Sequence, residues 1–171
     1  YCILFAHHVI HSSRGAERAR PRDILLIVWH SQSGASAALA RAAFEGALEQ
    51  GEKAELRRAA DVGAPEIAAA SGLLLVCAEN SGRLAGGAKD LLDRVFYPLI
   101  ERGCTLPYAL LVSAGNDGRG AVEEARRIFR GIPFTEAVEP RIIRGDPDDA
   151  ALADARELGA AFATGVALGI F

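Results

Sequence analysis

Methionine is absent from this chain of 171 residues, and lysine stands only at Lys53 and Lys89. Nearly all the positive charge is therefore arginine, and a net charge of −3 leaves no basic excess of the kind that holds nucleic acid. The heavy acidic excess of a surface dedicated to protein docking is missing as well, which favours small molecules as partners. Cysteine is scarce. Cys2, Cys77 and Cys104 show neither C-x-x-C nor zinc spacing, and their odd number argues against a disulfide framework. A reducing, cytoplasmic home is expected. No apolar run approaches the roughly 20 residues that span a bilayer, so no membrane segment is expected.

Several chemical motifs are missing too. A phosphate-binding Walker loop needs Gly-Lys-Ser/Thr, but Gly87 is followed by Ala88, Lys89 and Asp90, which argues against nucleotide hydrolysis. Gly34 stands alone after the first apolar run, so there is no G-x-G-x-x-G dinucleotide fingerprint, and no G-x-S-x-G nucleophile elbow occurs. A phospho-receiver domain needs acidic residues where Trp29 and His30 stand.

What remains is an ordinary globular composition, 50% hydrophobic and 24% charged, in a chain of single-domain length. Residues 1–22 are expected to be an N-terminal extension, tag-derived or disordered, ahead of one domain over 23–171. The stretch Tyr1 to Ala6 is too short for a secretory signal and has no basic lead. His7, His8 and His11 invite a metal reading, but Glu is lacking where His8 stands, so adventitious binding or a disordered tail is expected, and no metal site is assigned.

After Arg22, strands and helices alternate, the pattern of a parallel sheet covered on both faces. Strands are expected at Ile24 to Trp29, Lys53 to Arg58, Gly72 to Ala78, Tyr108 to Ser113 and Val138 to Ile143. Helical stripes follow at Ala37, Ala40, Phe44 and Leu48, ending at Gly51, then a loose helix from Pro65 to Ala70. Further stripes run through Ala88, Leu91, Leu92, Val95 and Leu99, with Pro98 kinking or ending the helix, then Val122, Ala125 and Phe129, and finally Leu152, Ala155, Leu158, Phe162 and Val166. The first, third and fourth strands are apolar throughout and belong in the middle. The second is charged and the fifth contains Pro140, which places both at edges. Right-handed crossovers then permit the order 2-1-3-4-5, with a crevice at the carboxyl ends of the first and third strands. Cys77 and Trp29 are expected to be core residues, and Tyr97 a helix-end anchor or a lid.

Three polar, glycine-bearing loops open at that end of the sheet. The first, Ser31-Gln32-Ser33-Gly34-Ala35-Ser36, leads into a helix whose unpaired N–H groups and dipole suit an anion without any lysine. The second runs from Glu79 to Lys89 and the third from Ala114 to Gly120. The Ser31-x-Ser33-Gly34-x-Ser36 loop resembles the FMN phosphate loop of flavodoxins. The run Asn80-Ser-Gly-Arg-Leu-Ala-Gly-Gly-Ala-Lys-Asp-Leu-Leu-Asp93 resembles the second flavin loop and following helix of the flavodoxin-like NAD(P)H:quinone oxidoreductases and FMN reductases.

The resemblance covers Asp23 to about Phe171. It implies a three-layer flavodoxin-like α/β sandwich with a five-stranded parallel sheet and bound FMN. Ser31, Gln32, Ser33, Gly34, Ala35 and Ser36 would lie on its phosphate. Ala78, Glu79, Asn80, Ser81, Gly82, Arg83 and Leu84, with Ser113, Ala114, Gly115, Asn116, Asp117 and Gly118, would flank the isoalloxazine ring. The implied activity passes a hydride from NAD(P)H to flavin and electrons on to a quinone or other small acceptor, with no catalytic side chain required. The alternatives are a one-electron carrier and a flavin-free domain with a binding role. Ala35 and Ser36 stand where asparagine and threonine are usual, a departure that bears on affinity. Neither flavin loop carries the usual tyrosine or tryptophan, which leaves one ring face open to a second substrate or covered by a neighbouring subunit. His30 is a candidate phosphate or proton donor, and Arg83 and Arg119 are candidates to steer nucleotide phosphates. A homo-oligomer is expected from the same resemblance.

Overall fold

The computed structural model describes residues 23–171; Cys2, His7, His8 and His11 lie outside the described residues. In chain order the elements are β1 (Leu25–Trp29), α1 (Ala35–Glu49), β2 (Ala54–Arg58), a 3-10 turn (Ala59–Asp61), α2 (Ala64–Ala69), β3 (Gly72–Asn80) and β4 (Arg83–Leu84). They continue with α3 (Gly86–Glu101), β5 (Pro107–Ala114), α4 (Arg119–Gly131), β6 (Thr135–Glu136), β7 (Arg141–Arg144) and α5 (Asp149–Ala167).

The sheet runs β2-β1-β3-β5, with both β6 and β7 on the outer side of β5, and all of these pairings are parallel. This is the expected 2-1-3-4-5 order with its last position split in two. The expected continuous strand from Val138 to Ile143 is corrected for a definite reason. Ala137 N–H still reaches Tyr108 O at 2.9 Å, but the chain then leaves the ladder through Pro140, which has no N–H, and rejoins it where Arg141 pairs with Leu111.

β1, β3 and β5 are buried on both faces along their apolar stretches, β3 becoming polar and exposed only towards Glu79 and Asn80. Alternation divides their side chains between two cores. Leu26, Val28, Leu73, Leu75, Leu110 and Val112 meet α2, α3 and α4, while Leu25, Ile27, Leu74, Val76, Ala109 and Leu111 meet α1 and α5. Cys77 lies wholly inside the first core, where burial pushes its thiol up to about 12 and leaves it unreactive.

Two helices depart from expectation. In α1 the buried face is Leu39, Ala40, Ala43, Gly46 and Ala47, while Leu48 is 45% exposed. Beside Leu39 the inward face is made of small residues, because α5 approaches too closely there for anything larger. A Cβ on Gly46 would overlap the carbonyl of Arg156, and one on Gly159 the carbonyl of Ala43. In α3, Pro98 lies inside the helix, which continues to Glu101. Tyr97 beside it is 71% exposed, its ring meeting Phe96 edge-on at 5.2 Å. Among the described residues, no helix is long and apolar enough to cross a membrane.

Candidate functional site

β1 delivers the chain to the carboxyl end of the sheet, where His30 N–H still bonds to Val76 O at 3.0 Å. Ser31 Oγ then accepts from Gly34 N–H at 3.0 Å, a side-chain turn that bends the loop back into α1. Gly34 sits at the helix cap with φ 104°, a conformation that a side chain would strain. The cap position therefore offers no side-chain acceptor. The N–H groups of Ala35, Ser36 and Ala37 precede the first intrahelical bond, Ala38 N–H to Gly34 O at 3.0 Å, and point to the mouth of the loop. Such amides at the positive end of a helix dipole suit a phosphate.

The other serines of this loop divide. Ser33 is exposed, whereas Ser36 is 1% exposed, and its Oγ lies 2.7 Å from Ser113 Oγ at the end of β5. Trp29 takes no part: its side chain packs against the α1 and α5 core, and the Arg58 guanidinium lies 5.4 Å over its ring.

The second loop is more ordered than expected. β3 runs past Ala78 to Asn80 and turns through Ser81 and Gly82, both at positive φ (52° and 73°), into β4. Positive φ at both central residues is the signature of a tight two-residue hairpin. Leu84 is consequently buried in the apolar layer and Arg83 exposed at the tip.

Side chains tie the loops together. Asn80 Nδ2 donates to Gln32 Oε1 at 2.9 Å, joining the second loop to the first. Glu79 Oε2 accepts from Gly118 N–H at 3.2 Å, joining the second to the third. Glu124 Oε2 accepts from Leu84 N–H at 2.9 Å, and a Cβ on Gly120 would overlap the carbonyl of Gly82, so the hairpin tip rests directly on the first turn of α4. Gly87 similarly makes room for the His30 ring, which lies against the start of α3.

These loops enclose a pocket of about 310 Å³. Of the expected residues, Ser33, Ala35, Ala78, Glu79, Asn80, Ser113, Ala114 and Gly115 line it. Ser31, Gln32, Gly34, Ser36, Ser81, Gly82, Leu84 and Gly118 belong to the same loops but do not line it. Arg83, Asn116 and Asp117 stand outside its wall, and so does Arg119, which is 78% exposed with Asp117 at 3.9 Å.

Gly145 and Asp146 complete the lining and were not expected. They belong to a fourth loop, after β7, where Gly145 has φ 76° and donates its N–H to Ala114 O at 2.9 Å. The signal was present in Gly145-Asp-Pro-Asp148 ahead of a helical stripe. It has the same form as the other three loops, and Asp148 caps α5 by accepting from Ala151 N–H at 2.8 Å.

No family model and no curated protein matches the sequence. Among solved structures the chain is similar to a flavodoxin from the domain Archaea, at 20% identity and a TM-score of 0.74 over 84% of this chain and 99% of that one. It is similar to a flavodoxin, WrbA-like protein from Agrobacterium tumefaciens at 16% identity and a TM-score of 0.73, covering 85% of this chain and 98% of that one. It also matches rubredoxin oxygen:oxidoreductase from Desulfovibrio gigas at 13% identity and a TM-score of 0.75, over 89% of this chain but only 38% of the longer protein. The fold of this chain is flavodoxin-like, with the site at the carboxyl ends of its parallel strands.

Proposed function

We propose that the chain is an FMN-dependent oxidoreductase that passes a hydride from NAD(P)H to flavin and electrons on to a quinone or other small acceptor. The pocket fits such a group at both ends. Three uncapped amides at the start of α1 offer donors for a phosphate beside Ser33, and the remaining wall mixes alanine and glycine with Glu79, Asn80, Ser113 and Asp146. A volume of about 310 Å³ falls within the range of about 300–1,000 Å³ usual for small-ligand sites. FMN bound there supplies the redox chemistry, and the chain supplies place and orientation.

The observation that carries the choice of a reductase is the absence, among the described residues, of any aromatic side chain from the pocket lining. A flat ring seated between the second and third loops keeps a face uncovered by the described residues, on which nicotinamide and then an acceptor can stack in turn, an orientation effect needing no acid or base. Glu79 holds the third loop to the second, and Asn80 holds the first, so the walls are set before the ligand arrives. A homo-oligomer belongs to the same proposal, with a neighbouring copy bordering the open face.

A one-electron carrier is the second candidate, favoured by the match to nearly the whole length of an archaeal flavodoxin. The visible spectrum of the purified protein, with FMN added if it is colourless, followed by anaerobic addition of NADPH or NADH, separates the two. Rapid loss of the oxidised flavin band supports the reductase. Bound flavin that ignores both nucleotides supports the carrier, and failure to bind FMN rejects both in favour of a flavin-free binding domain.

A further inference from the structure

Ser36 and Ser113 are the two buried polar residues among the described residues, at 1% and 6% exposure, and they touch each other at 2.7 Å. One comes from the first turn of α1, the other from the last residues of β5, so the contact joins the first loop to the third. Two hydroxyls carry two protons, and a single mutual hydrogen bond uses only one of them. The other is left for an acceptor outside the pair. Ser113 is among the lining residues of the pocket and Ser36 is not, which makes the Ser113 hydroxyl the one placed to offer its remaining hydrogen bond there.

We propose that Ser113 donates this hydrogen bond to a phosphate oxygen of the bound ligand, and that Ser36 is the positioning residue that donates to Ser113 and orients it. This rests on the assignment of FMN to the pocket. A phosphate is the acceptor proposed, on the α1 side of a pocket that Glu79 and Asp146 also line. Ser36 is itself part of the uncapped turn of α1, so the Ser113 hydroxyl stands one hydrogen bond away from the turn that offers the free amides of Ala35, Ser36 and Ala37. A donor that itself accepts a hydrogen bond is a stronger donor, and an anionic acceptor strengthens the chain further. The pair is in this way a continuation of the anion cradle into the protein interior, supplied by a strand on the far side of the loop.

The test compares FMN with riboflavin, which has the same ring and ribityl chain but no phosphate. Both are titrated into apoprotein by quenching of flavin fluorescence, for the wild type, Ser113→Ala, Ser36→Ala, the double alanine variant and Ser113→Thr, with urea unfolding of each apoprotein beside them. Ser113→Ala weakens FMN roughly tenfold to a hundredfold, the range for a hydrogen bond to a charged group, and leaves riboflavin within about threefold. Ser36→Ala weakens FMN less, roughly threefold to tenfold, with the same indifference to riboflavin. Ser113→Thr restores FMN binding, and the ³¹P resonance of bound FMN shifts in both single variants.

Equal losses for FMN and riboflavin overturn the proposal by placing the contact on the ring or ribityl chain. Single variants that lose stability but keep the wild-type preference for FMN overturn it too, leaving the hydroxyls as a structural pair. Wild-type protein that binds no flavin removes the assignment of FMN itself, and the proposal with it.

Discussion

On the face of the sheet covered by α3 and α4 the core is filled by long side chains, whereas on the face covered by α1 and α5 two helices meet through their backbones. Leu91, Leu92, Val95, Leu99 and Phe129 fill the first face, and the Tyr108, Phe129 and Phe134 rings stack at 4.1 and 5.9 Å. Where α1 meets α5 on the second face, alanine and glycine prevail, and Gly46 and Gly159 each lie where a Cβ would overlap a carbonyl. Long side chains can change rotamer to accommodate a shift, but a backbone contact has no such freedom. α1 carries the anion cradle at its N-terminus, so the face without freedom is the one that holds the cradle in place.

Substitutions of opposite kind break this comparison at its two ends. Phe129→Ala empties space in the first core and is expected to cost about 3–5 kcal/mol in urea unfolding. Phe129 lies in the last turn of α4, at the opposite end from Gly118, so the surviving folded protein keeps the flavin affinity proposed for the pocket. Gly159→Ala adds a single methyl to the second face and is expected to cost about 1–3 kcal/mol through displaced helices. If the pocket holds FMN as proposed, this variant weakens that binding as well, because α1 must move to admit the methyl. Equal flavin affinity in the two variants would show that the cradle does not depend on how α1 is held.

The same contrast explains what was legible in the residues. The first face announces itself: Leu91, Leu92, Val95, Val122 and Phe129 recur at helical spacing and are buried as expected. The second does not, because Phe44 and Leu48 dominate any hydrophobic pattern in α1 while Ala43, Gly46 and Ala47 make the contact. A close glycine contact depends on a partner helix far along the chain, which local periodicity does not contain. The strand order and the three loops could be read locally, since apolar runs and glycine-bearing turns are local features. The hairpin at Ser81 and Gly82, the Ser36 to Ser113 contact and the share of Gly145 in the pocket could not, because each needs a partner from another loop or strand.

Charged groups sharpen the comparison further. On the first face Arg126 clamps Glu136 through Nε at 2.8 Å and Nη2 at 2.6 Å, and the Tyr108 hydroxyl donates to the same carboxylate at 3.0 Å. The guanidinium, with the phenol second among the favourable contacts, holds the Glu136 carboxyl below its usual range against the opposing effect of burial. A depressed folded value means that this stabilisation is present above the unfolded value of about 4.3 and is lost as the pH falls through the folded one. Glu136→Gln is therefore expected to lower stability by about 1–2 kcal/mol near neutral pH. The gap between variant and wild type should close in urea titrations taken progressively below about pH 4. A gap independent of pH would mean that Glu136 serves through its shape and not its charge.

The smallest effect is expected across the second face, at Arg156. Its guanidinium bridges α5 to α1 through Glu45, at 2.5 Å, and Glu49. All three side chains are substantially exposed, at 41%, 45% and 57%, and ion pairs in such positions contribute about 0–1 kcal/mol. Arg156→Ala should then shift the urea midpoint only slightly, and the shift should fade at high salt, where screening acts over a few ångströms. The carbonyl of Arg156, which the alanine retains, is the group that rests on Gly46. A small effect from removing the side chain beside a large effect from adding a methyl at Gly159 would locate the cohesion of α1 and α5 in the backbone contact. A loss above about 2 kcal/mol at Arg156 would instead make the ion pairs the fastening, because such a loss exceeds what exposed pairs contribute.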